Sequence, residues 1–296
     1  ESLGDVYTYM YAYEVQQVQC IIWPVSVPQA GVALLSVMAA ATCCPVNAQN
    51  TSDEIVTELL AFRVSAVIIA APTGAKGNND SAVLEEKLIQ AGLRVMLLHA
   101  DAATVGLFSL QPSARNPPPS TPASSSAGES AQVNSIDTSM QRCIMLLHTS
   151  GTSGKKKVVP YSLQTIAVGC ACVGASWGLS IDDICFNMMP LFHTGGIVRN
   201  LLAPIFAGGA TILCHGFDPV LFWDRAPQLG ATWYYGAPTM HAMILSEVEK
   251  RKDVPRHCIR FIGNAAGPLM PALADNLHST FGYVCTAGEY SSYDLQ

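Results

Sequence analysis

The sequence predicts an α/β fold built on mainly parallel β-sheets with helices on both faces. Two observations predict it. Helix-like and strand-like segments alternate along most of the chain, and the strand-like segments, such as 65–70 and 143–147, are continuous apolar runs without a period of two. A strand that is apolar on both sides is typical of a parallel sheet covered on both faces.

The individual elements follow in order after residue 27, before which no pattern is clear. Residues 31–43 are rich in small side chains and predict a buried helix. Thr51 and Glu54 have the spacing of a capping box and predict the start of an amphipathic helix. Further predicted strands are 94–98, 184–189, 210–214, 232–235 and 260–263, and further predicted helices are 84–92, 163–177, 196–206, 219–229 and 271–281.

Residues 111–134 interrupt this alternation with a segment dominated by Pro, Ser, Ala and Gly. Such a composition buries too little apolar surface to form a core, and it predicts a flexible loop. Since the alternation resumes after the segment, we expect one domain over residues 1–296 with this loop inside it.

Composition excludes several classes of protein. The formal net charge is −6, and only 16 residues are Lys or Arg, which disfavours binding to a duplex nucleic acid. We expect no signal peptide, and we interpret the apolar stretch 30–46 as a core helix and not a membrane span. No pair among the ten cysteines has the C-x-x-C spacing, so we expect free thiols in a reducing compartment, the cytoplasm or the peroxisome.

The most informative segment is the loop from Thr149 to Lys157, which reads Thr-Ser-Gly-Thr-Ser-Gly-Lys-Lys-Lys. It follows a predicted buried strand and precedes a predicted helix, which places it at the carboxyl edge of the sheet, where ligands of open α/β folds bind. Hydroxyl groups and glycine amides at this density can donate many hydrogen bonds to phosphate oxygens, and a lysine adds a mobile positive charge.

The loop has two alternative interpretations. A Walker loop needs four residues between its two glycines and Ser or Thr after the lysine, whereas two residues separate Gly151 from Gly154, and Val158 follows Lys157. The remaining alternative is a polar surface turn.

The loop resembles the signature of the adenylate-forming, or AMP-binding, superfamily, which reads Thr-Ser-Gly-Thr-Thr-Gly-x-Pro-Lys-Gly-Val. The match includes Lys157, with Ser153 in place of the second Thr of the pair, Lys156 in place of Pro and Val158 in place of Gly. The resemblance implies the large N-terminal domain of an acyl-CoA synthetase-like fold. It assigns phosphate binding to Thr149, Ser150, Gly151, Thr152, Ser153, Gly154 and Lys157, the last also as a catalytic residue.

Two later segments extend the resemblance. Residues 190–196, Pro-Leu-Phe-His-Thr-Gly-Gly, are similar to a family segment whose histidine borders the acyl-adenylate pocket, which makes His193 a candidate catalytic residue. A lone histidine of this kind is otherwise a core residue. Residues 260–269 resemble the strand and small-residue turn on which the family stacks adenine, which assigns Ala265, Ala266 and Gly267 to adenine. The alternative is a tight turn from strand to helix.

Near the end of the chain the resemblance implies a metal ligand. The family reads Tyr-Gly-x-Thr-Glu here, whereas this chain reads Cys285-Thr-Ala-Gly-Glu289, so only Glu289, for Mg²⁺, matches. The family's ribose-binding Asp and its C-terminal domain with the catalytic Lys come later and are absent from these 296 residues. For this chain alone we therefore expect weak or absent turnover.

The resemblance implies an ATP-dependent acid–thiol ligase of the acyl-CoA synthetase type, with ATP and Mg²⁺ as cofactors and coenzyme A as co-substrate. A carboxylic acid would be converted first to an acyl-adenylate and then to a thioester. One alternative is an adenylation domain of a multi-domain synthetase, which would load a carrier protein. The other is a non-catalytic nucleotide-binding remnant.

Overall fold

A computed structural model describes residues 18–23, 28–71, 79–118, 138–149, 157–251, 254–282 and 285–287. The chain divides into two compact units, Glu1–Pro24 with Gln29–Thr165 and Val25–Pro28 with Ile166–Gln296. Each unit has its own β-sheet and its own apolar core.

The first unit is built on a seven-stranded sheet with the strand order β5-β4-β3-β1-β2-β6-β7. Its inner strands pair in parallel, and β5 and β7 pair antiparallel at the two edges. The strands are β1 Val18–Trp23, β2 Thr42–Asn47, β3 Ala66–Ala70, β4 Arg94–Ala100, β5 Phe108–Pro112, β6 Cys143–Thr149 and β7 Lys157–Ser162, and the helices are α1 Pro28–Ala40, α2 Ser52–Ala61 and α3 Asn79–Gln90.

The predicted capping box is confirmed at the start of α2. The Thr51 hydroxyl accepts a hydrogen bond from the Glu54 amide at 3.3 Å, and the Glu54 carboxylate accepts one from the Thr51 amide at 2.8 Å. Both backbone donors at the helix start are thereby satisfied, so the sequence signal is sufficient to place this end.

Near the start of this unit, the structure differs from the sequence-based expectation in two places. Strand β1 lies within the first 27 residues, where no pattern was recognised. The helix predicted over 31–43 ends at Ala40, because Thr42–Asn47 instead forms β2, which pairs with β1 and is anchored by a 2.7 Å hydrogen bond from the Thr42 hydroxyl to the Cys143 carbonyl.

The predicted loop 111–134 also begins too early. Gln111 and Pro112 are in β5, and Ser113 is buried, with its hydroxyl 2.5 Å from the Glu85 carboxylate. The Asn116 side chain then pairs with both the amide and the carbonyl of Val95. These polar contacts fix the position of residues 113–116, although the composition of the segment predicts a loop. Residues 119–134 lie outside the described residues.

The second unit is built on a five-stranded parallel sheet with the order β12-β11-β10-β8-β9. Strands β10 and β11 are buried at every position, so both faces of the sheet are covered. The strands are β8 Ile184–Asn187, β9 Ala210–Leu213, β10 Trp233–Gly236, β11 Phe261–Asn264 and β12 Cys285–Ala287. The helices are α4 Leu163–Trp177, which begins in the first unit, a π-helix Gly195–Leu202, α5 Ala203–Phe206, α6 Pro219–Arg225, α7 Pro238–Glu249 and α8 Pro271–Phe281.

Helix prediction in this unit succeeded for α4 and α8 and failed for α7. The segment predicted as one helix over 196–206 is a π-helix followed by a short α-helix. Helix α6 ends at Arg225, four residues before the predicted end. Helix α7 was not predicted because its apolar residues do not form a clear stripe.

The mainly parallel α/β architecture predicted from the sequence is confirmed. All eight cysteines whose side chains the structure describes are free, and six of them are buried. Within the described ranges, none of the helices has the length and apolar character needed to cross a bilayer.

Candidate functional site

The two ends of the candidate phosphate loop lie opposite each other in the sheet of the first unit. Thr149 is the last residue of β6, Lys157 is the first residue of β7, and the two are partners in an antiparallel register. The helix predicted after the loop is confirmed as α4 from Leu163, and strand β7, which was not predicted, lies between the loop and that helix. Ser150, Gly151, Thr152, Ser153 and Gly154 lie outside the described residues.

A histidine and a glutamate secure the strand that leads into this loop. His148 Nε2 lies 2.7 Å from Glu58 Oε1, and both side chains are largely buried. The imidazole also contacts the ring of Phe62 edge-on, with 4.5 Å between centroids. Because Glu58 and Phe62 are at the end of α2, these contacts connect that helix to the residue before Thr149. Sequence reasoning missed the pair, since 90 positions separate its members.

In the second unit, His193 is exposed, which contradicts its interpretation as a core histidine. Its Nδ1 accepts a hydrogen bond from the Gly195 amide at 3.2 Å. The next residue, Gly196, is required by close packing, because a Cβ there would lie 2.2 Å from the Pro190 carbonyl oxygen. The segment is therefore a tight entry into the π-helix that presents His193 at the surface of the unit.

The buried side-chain amides of two asparagines hold the start of the π-helix in place. The Asn187 side chain donates to the Gly196 carbonyl at 3.0 Å and accepts from the Met189 amide at 3.0 Å. Asn200 in the π-helix donates to the same Asn187 oxygen at 3.2 Å. Both asparagines are fully buried, so these bonds have no competition from solvent.

Tyr235 is the common contact of the His193 segment and the candidate adenine strand. A Cβ on Gly195 would lie 3.3 Å from Tyr235 Cε1, and a Cβ on Gly263 would lie 2.6 Å from Tyr235 Cδ2. The Tyr235 hydroxyl accepts a hydrogen bond from Arg199 of the π-helix. The segment that contains His193 and the strand that leads into the candidate adenine turn therefore both lie against one buried ring, at Gly195 and at Gly263.

The candidate adenine turn follows β11 and is made of small residues. Ala265 is buried, and its amide donates to the Gly236 carbonyl at 3.0 Å. Ala266 is exposed and has a φ of 61°, a conformation that residues with a Cβ rarely adopt. The Gly267 carbonyl accepts from the Asn264 side chain at 2.8 Å. Residues 265–267 carry no bulky side chain, a feature that would suit a flat ring such as adenine.

Two buried polar features of this unit were not predicted from the sequence. His241 of α7 is fully buried, and burial lowers its pKa to about 4. At the start of β11, Arg260 binds Asp183 through two hydrogen bonds, of 2.7 and 2.6 Å. Burial acts to raise the pKa of Asp183, but the hydrogen bonds from Arg260, Ser180 and Thr232 outweigh it and lower the pKa below its ordinary value.

Glu289, the candidate Mg²⁺ ligand, lies outside the described residues, two positions after β12. Strand β12 pairs in parallel with β11, with Cys285 opposite Phe261. Among the described residues, no group of three or more His, Cys, Asp or Glu side chains is arranged to hold a metal ion.

Comparison with known proteins identifies the family. The family described as "AMP-binding enzyme" matches residues 18–289. Probable CoA ligase CCL9 of Humulus lupulus is 28% identical over 251 residues, which cover 84% of this chain and 44% of that protein. Oxalate–CoA ligase of Arabidopsis thaliana is 31% identical over 140 residues, which cover 47% of this chain and 27% of that protein.

Solved structures show the same fold. ATP-bound MatB from Rhodopseudomonas palustris has a TM-score of 0.63 at 20% identity, and the similarity covers 97% of this chain and 52% of that one. This chain therefore spans about half or less of the proteins to which it is similar.

Proposed function

Because the chain belongs to the AMP-binding enzyme family, we propose that it is the ATP-binding part of an acid–thiol ligase of the acyl-CoA synthetase type. In this reaction an oxygen of a carboxylate attacks the α-phosphorus of ATP, and pyrophosphate leaves. The thiol of coenzyme A then attacks the acyl carbon, the carbon–oxygen bond to AMP breaks, and the thioester forms. The free thiols noted above are consistent with a reducing compartment, the cytoplasm or the peroxisome.

The observation that carries the proposal is the turn after β11. The strand that leads into the turn lies against Tyr235 at Gly263, and the His193 segment lies against the same ring at Gly195, so a base on the turn and an acyl group near His193 would be neighbours. In this assignment Ala265, Ala266 and Gly267 contact adenine, and His193 borders the acyl group. No protein side chain has to act as a covalent nucleophile, because binding and orientation of the phosphates carry the chemistry.

The phosphates are assigned to the loop between β6 and β7. Its hydroxyls and glycine amides would donate to phosphate oxygens, and Lys157 would supply positive charge near the leaving pyrophosphate. The pairing of Thr149 with Lys157 supports this role, because it brings the two ends of the loop together on the sheet. Glu289 is the residue proposed for Mg²⁺, which would neutralise charge on the phosphates when bound.

The acyl acceptor in this proposal is coenzyme A. Both relatives named above are CoA ligases, which supports it over a carrier protein. Since the chain spans 44% of the Humulus protein, the complete reaction is proposed for the whole protein and not for these 296 residues alone.

Calorimetric titration of the purified chain tests the proposal. We expect saturable binding of Mg·ATP. We expect Lys157→Ala to lower the affinity for ATP by about tenfold and to change the affinity for adenosine little, since only ATP carries the charge that the lysine would contact. Lys250→Ala, which removes an exposed lysine of the second unit, is the matched control and should change neither ligand. No binding at millimolar Mg·ATP would overturn the proposal.

A further inference from the structure

The side chain of His241 is the centre of a buried polar group in the second unit. Its Nδ1 lies 3.2 Å from the hydroxyl oxygen of Tyr234, and both residues are fully buried. Burial raises the pKa of Tyr234 far above its ordinary value, so the phenol keeps its proton and is the donor. Nδ1 then accepts, and the imidazole proton is on Nε2.

The side-chain oxygen of Asn264 is an available acceptor for the proton on His241 Nε2. His241 Nε2 and Asn264 Oδ1 are both buried, and neither makes a well-aligned hydrogen bond to any described group. Burial lowers the pKa of His241, and the adjacent Asn264 side chain and Gly236 carbonyl partly oppose that shift. Pairing of this buried donor with this buried acceptor would remove the cost of leaving each unsatisfied.

Both neighbours of His241 also hold the candidate adenine turn. The Gly236 carbonyl accepts from the Ala265 amide at 3.0 Å, and the Asn264 side chain donates to the Gly267 carbonyl at 2.8 Å. Between these two anchors lies Ala266 with its unfavourable φ of 61°. Such a conformation persists only where the surrounding structure fixes it.

We propose that His241 is a positioning residue for the nucleotide, which fixes the shape of the adenine turn through Asn264 and Gly236. It contacts no ligand itself. The inference rests on the proposed function, because it assumes that the turn receives the base. If His241 has this role, its loss should weaken the binding of ligands that carry adenine and leave the binding of ligands that carry only phosphates unchanged.

The test compares Mg·ATP with inorganic tripolyphosphate by calorimetry on the purified chain. His241→Met keeps a similar apolar bulk but offers neither donor nor acceptor of comparable strength. We expect this variant to lower the affinity for ATP by about tenfold or more, the effect of about one hydrogen bond. Its affinity for tripolyphosphate should stay within about twofold of that of the unaltered chain. His241→Gln, whose amide can accept from Tyr234 and donate to Asn264, should restore ATP affinity.

Two further variants keep the test decisive. Ile244→Val removes one methyl group from an equally buried position of α7, so it should lower stability without changing the ratio of the two affinities. If His241→Met does not fold, Tyr234→Phe removes the hydroxyl that donates to His241 and leaves Asn264 and Gly236 unaltered, and we expect a smaller loss of ATP affinity with the same selectivity.

Equal losses for ATP and tripolyphosphate, or no loss, in a folded variant would overturn the inference and leave the proposed function intact. Failure of the unaltered chain to bind ATP would overturn both.

Discussion

Gly263 lies against the ring of Tyr235 so closely that a methyl group in place of its hydrogen would be 2.6 Å from Cδ2. Carbon atoms do not approach to this distance without repulsion, and Tyr235 is buried and held at its hydroxyl by Arg199. The strand that leads to the candidate adenine turn is therefore fitted to an aromatic ring that also contacts the His193 segment.

Gly263→Ala should consequently destabilise the protein by about 1–3 kcal/mol, the usual cost of overpacking a core. Gly267→Ala is the matched control, because its new Cβ would meet Pro238 at 3.5 Å, an ordinary contact. Urea denaturation followed by circular dichroism measures both. Equal midpoints for the two variants would show that Tyr235 can move aside and that the fit is not tight.

The ion pair between Asp183 and Arg260 should stabilise the second unit. The Asp183 side chain is only 2% exposed and accepts hydrogen bonds from Arg260, Thr232 and Ser180. Asp183→Asn should therefore lower the free energy of unfolding by about 2–4 kcal/mol. Asp224→Asn, which disrupts the exposed pair with Arg251, should cost less than about 1 kcal/mol. The account of this pair is wrong if denaturant unfolding gives both variants the same loss.

Stability should also depend on pH through His241. The ordinary pKa of histidine is about 6.5, whereas burial lowers that of His241 to about 4 in the folded protein. Between these values the unfolded chain binds a proton that the folded chain does not, so the stability of the folded state falls as the pH falls from 6.5 to 4.

The size of this pH effect can be isolated by comparison with His241→Gln, which has no titratable group at this position. Two and a half pKa units correspond to about 3 kcal/mol, so the unaltered chain should lose about that much more stability than the variant between pH 6.5 and 4. Denaturant unfolding at several pH values measures the difference. Parallel pH profiles for the two proteins would mean that the imidazole titrates normally.

The segment 119–134 should be the first site of cleavage by elastase, because its run of Pro, Ser and Ala contrasts with the apolar alternation on either side. Limited proteolysis followed by mass spectrometry of the fragments locates the cut. First cleavage within β2 or β10, both of which are buried, would contradict this division of the chain.

The fold could be predicted largely from the sequence because its central strands are apolar on both faces. The sequence predicts α4 to the residue, but it does not predict α7, and it predicts the end of a helix where the structure has β2. At β2, the Thr-Cys-Cys segment is apolar enough for either structure, and only its pairing with β1 decides between them.

The candidate site was predictable only where it is contiguous in sequence. The phosphate loop, His193 and the small-residue turn each form a short motif. The contacts that support each motif within its own unit do not: Glu58 pairs with His148 from another element of the first unit, and in the second unit His241 of α7 lies beside Gly236 and Asn264. A buried histidine of this kind has no local signature, because its partners are brought to it by the sheet.

The central claim is that a nucleotide binds with its base on the turn after β11. Photolabelling of the purified chain with 8-azido-ATP, followed by tryptic digestion and mass spectrometry, tests it most directly. Because no Lys or Arg follows Arg260, a base on the turn should label the peptide that begins at Phe261. We expect labelling of this peptide, and we expect excess ATP to suppress it more than excess tripolyphosphate does. ATP-sensitive labelling confined to peptides before Arg260 would contradict it.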